Sequence, residues 1–437
     1  MIAAPPTFIG RAAKPMLALL ATCLLSASVT AQSPAAPPVE KPETEAALVA
    51  RADKIHQESL VLDAHADIVL PSTSPTYLAK DGLSKVDPTK LIAGNMGAVV
   101  MSVAVSPGPR TSEADALARI EADKKVAAVR TLAEQNDAMA IVTAPDQLAT
   151  LRSKGMVALI LGFQNARSLE GDVANLDHFY KSGVRVFGLN HMGHNDFSDS
   201  SRPLFNAETA SYEVTEEHGG LSALGTAAIK RINQLGAIVD ISQMSKAASL
   251  QAIKLSDAPV IASHSNVRTL SNVSRNLSDE EIDRIAEKGG VIHIAAFGAY
   301  LVDLSDPDLL AAIIKVRLDS GLPAAYAYPY ELYWEIPDLT KRKAFLVAMR
   351  DVIGTGSVDR LIDHIDYVVK RVGIDHVGIG SDFNHGGGIA GFANASEARN
   401  VTIGLVQRGY TGDQIKKIWG DNFLRVFREA EKGAAKP

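Results

Sequence analysis

Residues 157–165 read VALILGFQN, an apolar run that ends in two polar residues, and this pattern decides the fold. Consecutive Val, Ile and Leu residues are typical of a parallel strand that is buried on both faces. Similar runs occupy residues 60–66, 98–105, 184–189, 237–241, 260–263, 291–296 and 377–380. Eight such strands alternating with helices predict a single (β/α)₈ TIM-type barrel of the α/β class. No Gly-x-Gly-x-x-Gly turn follows the first strand, which argues against a dinucleotide-binding sheet.

Amphipathic stretches between these runs predict the helices, at residues 44–59, 112–138, 221–235, 246–255 and 279–288. The longest of them opens with Ser-x-x-Asp, which we expect to cap it at Ser112. Its predicted apolar face consists of Leu117, Ile120, Val126, Val129 and Leu132.

Two segments do not fit the repeat. Residues 139–142 (MAIV) predict an extra strand, and residues 298–359 form a long insertion before the eighth strand. The insertion contains an aromatic cluster, which we interpret either as packing or a subunit contact, or as a lid over a site. Its members are Tyr326, Tyr328, Tyr330, Tyr333 and Trp334.

The composition is that of a folded protein, with 46% hydrophobic and 22% charged residues in a chain of 437. A formal net charge of −6 and the absence of a basic stripe argue against a nucleic-acid-binding role. Cys23 is the only cysteine, so neither a disulfide framework nor a cysteine-based zinc site is possible.

The N-terminus has the pattern of a signal peptide over residues 1–31. Arg11 and Lys14 precede an apolar run at 16–25 that is too short to span a bilayer, and Ala31 closes a run of small residues suited to cleavage. Residues 32–43 are interpreted as a Pro/Ala-rich tether and residues 44–437 as the barrel domain. We therefore expect an exported protein, periplasmic or secreted, without a transmembrane span after processing.

Polar residues follow the predicted strands where a barrel brings the carboxyl ends of its strands to one mouth. They are His65, Asp67, Gln164, Asn165, His191, Gln243, His264 and Asp382. His-x-Asp at the first strand end places an imidazole and a carboxylate on the same side, a pair that suits a divalent metal. The pattern predicts metal-assisted hydrolysis by a metal-activated water, with Asp382 carrying the proton.

These residues lie in motifs that resemble the membrane (renal) dipeptidase family, zinc peptidases of the amidohydrolase-like barrels. The resemblance runs from about residue 59 to 427 and includes LDAHAD at 62–67, PVIASHSN at 259–266, SRNLSDEEI at 274–282 and GIDHVGIGSDF at 373–383. It implies a two-zinc centre that cleaves dipeptides with little side-chain selectivity. Relatives are commonly dimeric, which makes a homodimer possible.

Site roles follow from the same resemblance, position by position. His65 and Asp67 resemble ligands of the first zinc, and His264 resembles a ligand of the second. His191 resembles the residue that steadies the tetrahedral intermediate, Arg275 the group that holds the substrate carboxylate, and Asp382 the acid/base carboxylate.

Two positions depart from the family pattern. Gln164 stands where the family has the glutamate that bridges both zincs, and Gln243 stands where it has a second-zinc histidine. We therefore expect one tightly held metal on His65, Asp67, His264 and, as a further candidate, Asp382, with Gln164 and Gln243 as weak ligands or hydrogen-bond partners. Glu170 and Asp172 are not expected to replace the lost carboxylate.

The remaining histidines are not assigned as metal ligands. His385 either approaches the site from the loop after the eighth strand or, as we favour, lies at the surface or in a glycine turn, and His293 is interpreted as a core histidine. His194 and His218 fall in predicted loops, where they either line the pocket or are solvated.

Three functions remain open from the sequence. The first is a metal-dependent dipeptidase, and the second is a non-catalytic relative that binds a dipeptide-like ligand. The third is a single-metal hydrolase of another amide, ester or lactone, because one barrel supports many chemistries through its loops.

Overall fold

A computed structural model describes residues 43–434, except 207–208, 210, 323, 325–335 and 337. The predicted signal peptide, nearly all of the tether and the aromatic cluster at 326–334 lie outside the described residues. Thr44–Pro437 form one compact unit.

Parallel strands form the centre of the structure. The strands are β1 (Leu62–Asp67), β2 (Ala98–Ala104), β3 (Met139–Val142), β4 (Val157–Gln164), β5 (Val184–Gly188), β6 (Phe205–Asn206), β7 (Ser211–Tyr212), β8 (Ile238–Asp240), β9 (Ile261–Ala262), β10 (Val291–Ala295) and β11 (Val377–Gly380). The main sheet has the order β1-β2-β4-β5-β8-β9-β10-β11, while β6 and β7 form a separate antiparallel pair. Each predicted run overlaps one strand of the main sheet, and β1 extends one residue past its predicted run, to Asp67.

The first and last strands meet and bring the sheet close to a full cylinder. The Asp67 N–H donates to the Phe383 carbonyl at 2.8 Å, and the Asp382 N–H donates to the His65 carbonyl at 3.0 Å. The predicted (β/α)₈ barrel is therefore confirmed, and this β1–β11 seam lies at its mouth.

The extra strand at 139–142 is also confirmed. β3 pairs with Val157–Ile160 in the first half of β4, and β5 pairs with the second half, from Leu161 to Gln164. β3 and β5 therefore lie along the same edge of β4. β3 pairs with the half of that edge far from the mouth, and β5 pairs with the half that reaches the mouth.

Helices surround the barrel and alternate with its strands. They are α1 (Glu45–Glu58), α2 (Pro88–Ala93), α3 (Ser112–Glu134), α4 (Asp146–Ser153), α5 (Asn175–Lys181), α6 (Ala223–Leu235), α7 (Lys246–Leu255), α8 (Asp279–Glu287), α9 (Pro307–Asp319), α10 (Leu339–Ile353), α11 (Val358–Val372), α12 (Ala398–Gln407), α13 (Gly412–Lys416) and α14 (Asn422–Lys432). Hydroxyl caps set several helix starts, and Ser278 with Glu281 forms a complete capping box before α8. Within the described part of the chain, no helix combines the length and apolarity that crossing a membrane requires.

The predicted cap and apolar face of α3 were partly wrong. Thr111 caps the helix instead of Ser112, accepting a hydrogen bond from the Ala114 N–H. Leu117 and Ile120 are exposed, whereas Val126 and Val129 are buried. Small residues at Ala118 and Ala122 take the inward positions because α3 packs closely against the barrel there, so the helix is rotated relative to its largest apolar side chains.

The insertion before β11 has a small core of its own. α9 and α10 pack together, and their buried side chains cluster with Tyr300 and Ala295 at the end of β10. The members from the two helices are Ile313, Phe345 and Met349. This packing places α10 beside the mouth of the barrel.

Candidate metal centre

Side chains from three strand ends converge at the mouth. His65, His264 and Asp382 each offer one ligand atom, and these atoms all lie within 4.8 Å of one another. The rings of His65 and His264 are stacked with centroids 3.7 Å apart. Asp67 joins them, because its Oδ1 lies 3.2 Å from His65 Nε2. The structure thus brings the predicted metal ligands together.

An irregularity in β1 turns His65 and Asp67 toward the barrel interior. The register against β2 shifts between Asp63 and Ala66, so that one extra residue is accommodated. Leu62 packs in the interior cluster before the shift, but Ala66 packs in the outer core after it. Odd-numbered residues therefore face outward before the bulge and toward the barrel interior after it. Bulges commonly redirect side chains in this way.

A relay behind His264 fixes the tautomer of its ring. The Ser263 hydroxyl donates to Asp240 Oδ2 at 2.5 Å, so its oxygen can only accept at the 2.8 Å contact with His264 Nδ1. The hydrogen of the ring therefore sits on Nδ1, and Nε2 presents its lone pair to the mouth. Burial, with the charges of His65 and Arg275, also lowers the pKa of His264 well below its usual value, which keeps the ring in the neutral form that binds metals.

A matching arrangement holds Asp382. Asp63 accepts hydrogen bonds from the Ser381 N–H at 2.7 Å and the Ser381 hydroxyl at 2.5 Å, across the β1–β11 seam. Burial raises the pKa of Asp63 to about 6 despite these hydrogen bonds. In both cases a buried aspartate anchors the serine that directly precedes a mouth residue.

Asp382 has a constrained backbone and a buried carboxyl group. Its φ of 57° lies in the left-handed region, which a non-glycine residue adopts only when its surroundings enforce it. Burial raises the pKa of Asp382, and the neighbouring charge of Asp67 adds to the effect. A carboxyl group with a raised pKa is suited to take up and return a proton.

The interpretation of His385 as a surface residue is wrong. Its Nδ1 lies 2.9 Å from Asp67 Oδ2, its ring stacks on Tyr77, and it meets the His191 ring edge to face at 4.8 Å. Burial by itself raises the pKa of Asp67, but the charge and hydrogen bond of His385, with the hydrogen bond of His65, hold it well below its usual range. The glycines after His385 bend the loop back to the mouth, where the Gly387 N–H donates to the Asp382 carbonyl.

Two amides adjoin Nε2, the nitrogen of His264 that faces the mouth. The Nε2 atoms of Gln164 and Gln243 lie 3.4 and 3.3 Å from His264 Nε2. Arg202 donates to Gln243 Oε1 at 3.3 Å. Because a guanidinium can only donate, the oxygen of Gln243 must face Arg202 and its NH₂ group must face His264. Gln243 is therefore held as a hydrogen-bond partner of His264.

His191 and Arg275 are both buried beside the centre. His191 Nδ1 has no hydrogen-bond partner among the described residues, and burial lowers the pKa of this ring well below its usual value, helped by the charges of His385 and Arg202. Arg275 donates to the His264 carbonyl at 2.5 Å and to the Ser265 hydroxyl at 3.0 Å. It therefore braces the backbone that carries His264.

The other sequence candidates lie outside the centre. His293 is a core histidine, as predicted, and donates from Nδ1 to the Ala262 carbonyl. His194 and His218 make loop hydrogen bonds, to the Val214 and Asn195 carbonyls. Glu170 faces Arg119 at 3.5 Å and does not reach the mouth.

The donor set fits a single divalent metal such as zinc. Two ligand atoms bonded to one zinc at about 2.0–2.1 Å with tetrahedral angles lie roughly 3.3 Å apart, and His65 Nε2 and Asp67 Oδ1 are 3.2 Å apart. His264 and Asp382 each offer a ligand atom close by, and a metal bound to His264 Nε2 would replace the hydrogen bond from Gln243. Nitrogen and oxygen donors of this kind are those that zinc prefers.

Two cavities open from the mouth on either side of His385. The first, of about 330 Å³, is lined by Asp67, His191, Glu121 and Lys125. The second, of about 420 Å³, lies toward α10 and is lined by Gln243 and Asp382 on its barrel side. Tyr77, Met192 and His385 border both. A substrate centred on the metal ligands would extend into both cavities.

Sequence reasoning missed several of these residues. The sequence carries a weak signal for three of them. Asp63 precedes the predicted ligand His65 by two positions, Ser263 directly precedes His264, and Asp240 lies on the strand next to the one that leads to His264. Arg202 carries none, because it lies in a loop after β5 with no periodic pattern.

Comparison with known proteins identifies the family. A model of the membrane dipeptidase family, peptidase family M19, matches residues 49–437. Dipeptidase tcpJ of Claviceps purpurea is 28% identical over 82% of this chain and 72% of its own length. Dipeptidase aclJ of Aspergillus oryzae is 27% identical, over 64% of this chain and 53% of that protein.

Solved structures show the same barrel. The probable dipeptidase PvdM from Pseudomonas aeruginosa is 34% identical, with a TM-score of 0.79 over 90% of this chain and 100% of that one. A metallopeptidase from Rhodobacter sphaeroides, solved with a phosphinate mimic of L-Ala-D-Ala, shares the fold at 18% identity and a TM-score of 0.64, over 85% of this chain and 99% of that one. From its sequence and fold together, this chain belongs to the membrane dipeptidase family, peptidase family M19.

Proposed function

We propose that this protein is an exported dipeptidase that hydrolyses the peptide bond of dipeptides with one zinc ion at the mouth of its barrel. The observation that carries the proposal is the convergence of ligand atoms from His65, Asp67, His264 and Asp382 at the barrel mouth. Family membership supports the substrate class, and the N-terminal pattern supports export.

The chain's own residues have distinct tasks in this reaction. His65, Asp67 and His264 would hold the metal, which when bound supplies an acidified water and polarises the scissile carbonyl. Asp382, whose pKa is raised by burial, accepts a proton and returns it to the leaving amine. His191 faces the same cavity as Asp67 and is placed to donate a hydrogen bond to the substrate.

The charges around His264 support one metal rather than two. Asp67 and Asp382 supply two carboxylates near His65, whereas Gln164 and Gln243, which adjoin His264 Nε2, supply none. The Arg202 guanidinium lies against Gln243 and would repel a second dication there. We propose Gln164 as a weak ligand through its oxygen and Gln243 as a hydrogen-bond partner.

The decisive experiment combines metal analysis with hydrolysis of dipeptides by the purified full chain. We expect about one zinc per chain, loss of hydrolysis after chelation, and recovery when zinc is returned. His65→Ala should lose both the metal and the activity, whereas His218→Ala, a loop histidine, should retain both. A wild-type protein that binds zinc but turns over no dipeptide would contradict the proposal.

A non-catalytic dipeptide-binding function is the second candidate, and the paired amides at Gln164 and Gln243 favour it. It predicts less than one metal per chain, no turnover with any divalent ion, and measurable affinity for dipeptides. Metal-dependent hydrolysis that is lost in His65→Ala would exclude it.

A further inference from the structure

The two carboxylate oxygens of Asp67 face two different histidines. Oδ1 lies 3.2 Å from His65 Nε2, and Oδ2 lies 2.9 Å from His385 Nδ1. Asp67 is 6% exposed, so these two histidines, rather than bulk water, decide what each oxygen can bind. The task of His385 in this pair is not covered by the roles given above.

We propose that His385 is a positioning residue of the metal centre, which holds Oδ2 of Asp67 through a hydrogen bond and leaves Oδ1 as the single oxygen that binds the ion. The inference rests on the proposed function in taking zinc as that ion. His385 acts on the ion only through Asp67. Hydrogen bonds to ligating carboxylates commonly tune the affinity of a metal site.

The atoms in contact and their distance both indicate a hydrogen bond. An ionised carboxylate can only accept, so His385 Nδ1 carries the hydrogen that Oδ2 receives. Their separation of 2.9 Å is typical of a hydrogen bond to a charged group. Two atoms bonded to one tetrahedral zinc would lie roughly 3.3 Å apart, a spacing that His65 Nε2 and Asp67 Oδ1 match more closely. His385 therefore supports a ligand instead of sharing the ion with it.

Aromatic neighbours hold the ring of His385 in place. Tyr77 stacks on it, with ring centroids 5.4 Å apart and an angle of 18° between the planes. His191 meets it edge to face, with centroids 4.8 Å apart. Turning the ring away from Asp67 would break both contacts, so Nδ1 stays directed at Oδ2.

Asn384 fixes the backbone immediately before His385. Its Nδ2 donates to the Asp67 carbonyl at 2.9 Å, and its Oδ1 accepts from the Lys85 N–H at 2.8 Å. Its φ of 66° lies in the left-handed region, which Asn tolerates better than most residues. Asn384 and His385 therefore hold the backbone and the side chain of the same residue, Asp67.

Glycine at position 387 lets the loop after His385 pack against the strand ends. The Gly387 N–H donates to the Asp382 carbonyl at 2.8 Å, and its carbonyl accepts from Lys85 Nζ. A Cβ atom at this position would lie 2.0 Å from the Ser381 carbonyl oxygen, which is far too close for any side chain. The close approach therefore requires a glycine, and Lys85 clamps the loop in that position.

This arrangement would serve catalysis by limiting how Asp67 binds zinc. A carboxylate can bind a metal ion through one oxygen or through both. With Oδ2 held by His385, the set of His65, Asp67 and His264 offers three ligand atoms. Catalytic zinc sites of three protein ligands keep a fourth position for water.

Zinc affinity of the full chain, measured by competition with a chromogenic chelator, tests this role without depending on hydrolysis. His385→Leu should lower the affinity by about 10- to 100-fold, because Oδ2 of Asp67 loses its hydrogen bond. His385→Asn should keep most of the affinity, since the NH₂ group of asparagine can replace the Nδ1–H donor. A His385→Leu protein that binds zinc as tightly as the wild type would overturn the proposal.

The control is a histidine–aspartate pair at the surface. His178 Nε2 lies 2.8 Å from Asp123 Oδ1, and both side chains are exposed. His178→Leu removes a comparable contact away from the mouth and should leave zinc affinity unchanged. A loss as large as that of His385→Leu would mean that the effect does not act through Asp67, and the proposal would be wrong.

Cobalt(II) in place of zinc separates positioning from direct ligation. Cobalt(II) absorbs visible light more strongly in four-coordinate sites than in five- or six-coordinate sites. His385→Leu should weaken this absorption, because Asp67 is then free to bind through both oxygens, whereas His385→Asn should retain it. Equal losses in the two variants would indicate that the His385 ring binds the ion itself, contrary to the proposal.

A smaller effect is expected when the loop is loosened. Lys85→Met removes the ammonium group that holds the Gly387 carbonyl, so zinc affinity should fall, but by less than in His385→Leu. Lys80→Met, at an exposed position in the same segment before α2, should leave the affinity unchanged. Equal affinities of these two lysine variants would contradict the clamp.

A failure of this inference can be told apart from a failure of the proposed function. If His385→Leu weakens zinc binding but the wild type hydrolyses no dipeptide, His385 keeps its role and the dipeptidase fails. If dipeptides are hydrolysed and His385→Leu binds zinc as the wild type does, the dipeptidase stands and the role of His385 fails.

Discussion

The groups around the His264 ring form two sets, a carboxylate side and an amide side, which differ in charge although both lie at the barrel mouth. The carboxylate side consists of Asp67 and Asp382, together with His65, whose ring stacks on that of His264 at 3.7 Å. The amide side consists of Gln164 and Gln243 at His264 Nε2, where Arg202 adds a cation. The ends of parallel strands supply all of these residues except Arg202, which comes from a loop.

This difference shows that the fold fixes where side chains meet, while the side chains decide what they hold. An anionic half can neutralise one dication, whereas a half with neutral amides and a guanidinium disfavours another. The experiments below change one side, then the support behind the ring, then histidines elsewhere in the barrel.

The largest effect is expected from converting the amide side. Gln164→Glu with Gln243→His should raise metal content from about one toward two per chain, because it restores a carboxylate and an imidazole beside His264. Gln164→Glu alone should contribute more than Gln243→His alone, since Arg202 adjoins position 243. Elemental analysis after dialysis against a zinc buffer measures the number of metal ions per chain.

The control for the double variant is Gln234→Glu, which adds the same charge at an exposed position on α6. The control should leave metal content unchanged. An unchanged content in the double variant as well would mean that the two amides do not occupy ligand positions.

A smaller effect is expected from breaking the relay behind His264. Ser263→Ala removes the hydroxyl that joins Asp240 to His264 Nδ1, so zinc affinity should fall by about 10- to 100-fold, as for other residues behind a metal ligand. Ser249→Ala is a matched control, because its buried hydroxyl has no partner among the described residues. Competition with a chromogenic chelator gives both affinities; similar values would rule out the relay.

The smallest effect concerns histidines outside the mouth. Burial lowers the pKa of His293 to about 4 and that of His364 to about 3. Below a pH of about 6.5, the unfolded chain binds protons that the folded chain does not, so stability falls as the pH falls toward those values. Each ring should contribute a slope of about 1.4 kcal/mol per pH unit in this window.

Chemical unfolding between pH 7 and pH 5 measures that slope. His364→Gln should make it shallower, because the amide oxygen can still accept the hydrogen bond from the Val267 N–H without binding a proton. A slope as steep as that of the wild type would show that His364 titrates normally in the folded chain.

The barrel and most of its centre could be predicted because both depend on short-range patterns. Apolar runs located every strand of the main sheet but not the short β6–β7 pair, and the polar residues that end the runs located His65, Asp67, His264 and Asp382. Periodicity was less informative for α3, where Ala118 and Ala122 face inward and Leu117 faces solvent. Close packing against the barrel decided that orientation, and the spacing of large apolar residues does not report it.

Loop residues could not be placed from the sequence. His385 follows the last strand among glycines, and only its contact with Asp67 shows that it belongs to the mouth. Arg202 comes from the loop after β5 and meets Gln243, 41 positions later in the chain. Such contacts depend on where whole loops return to the barrel, which no local pattern records.

The seam between β1 and β11 joins residues 318 positions apart, Asp63 and Ser381. Loop closure over such a separation is slow, so contacts of this kind form late in folding. His65 and Asp382 stand on the two sides of that seam. A ligand set that includes Asp382 is therefore complete only after the final strand has docked, and a chain truncated before residue 377 would carry Asp67 and His264 without it.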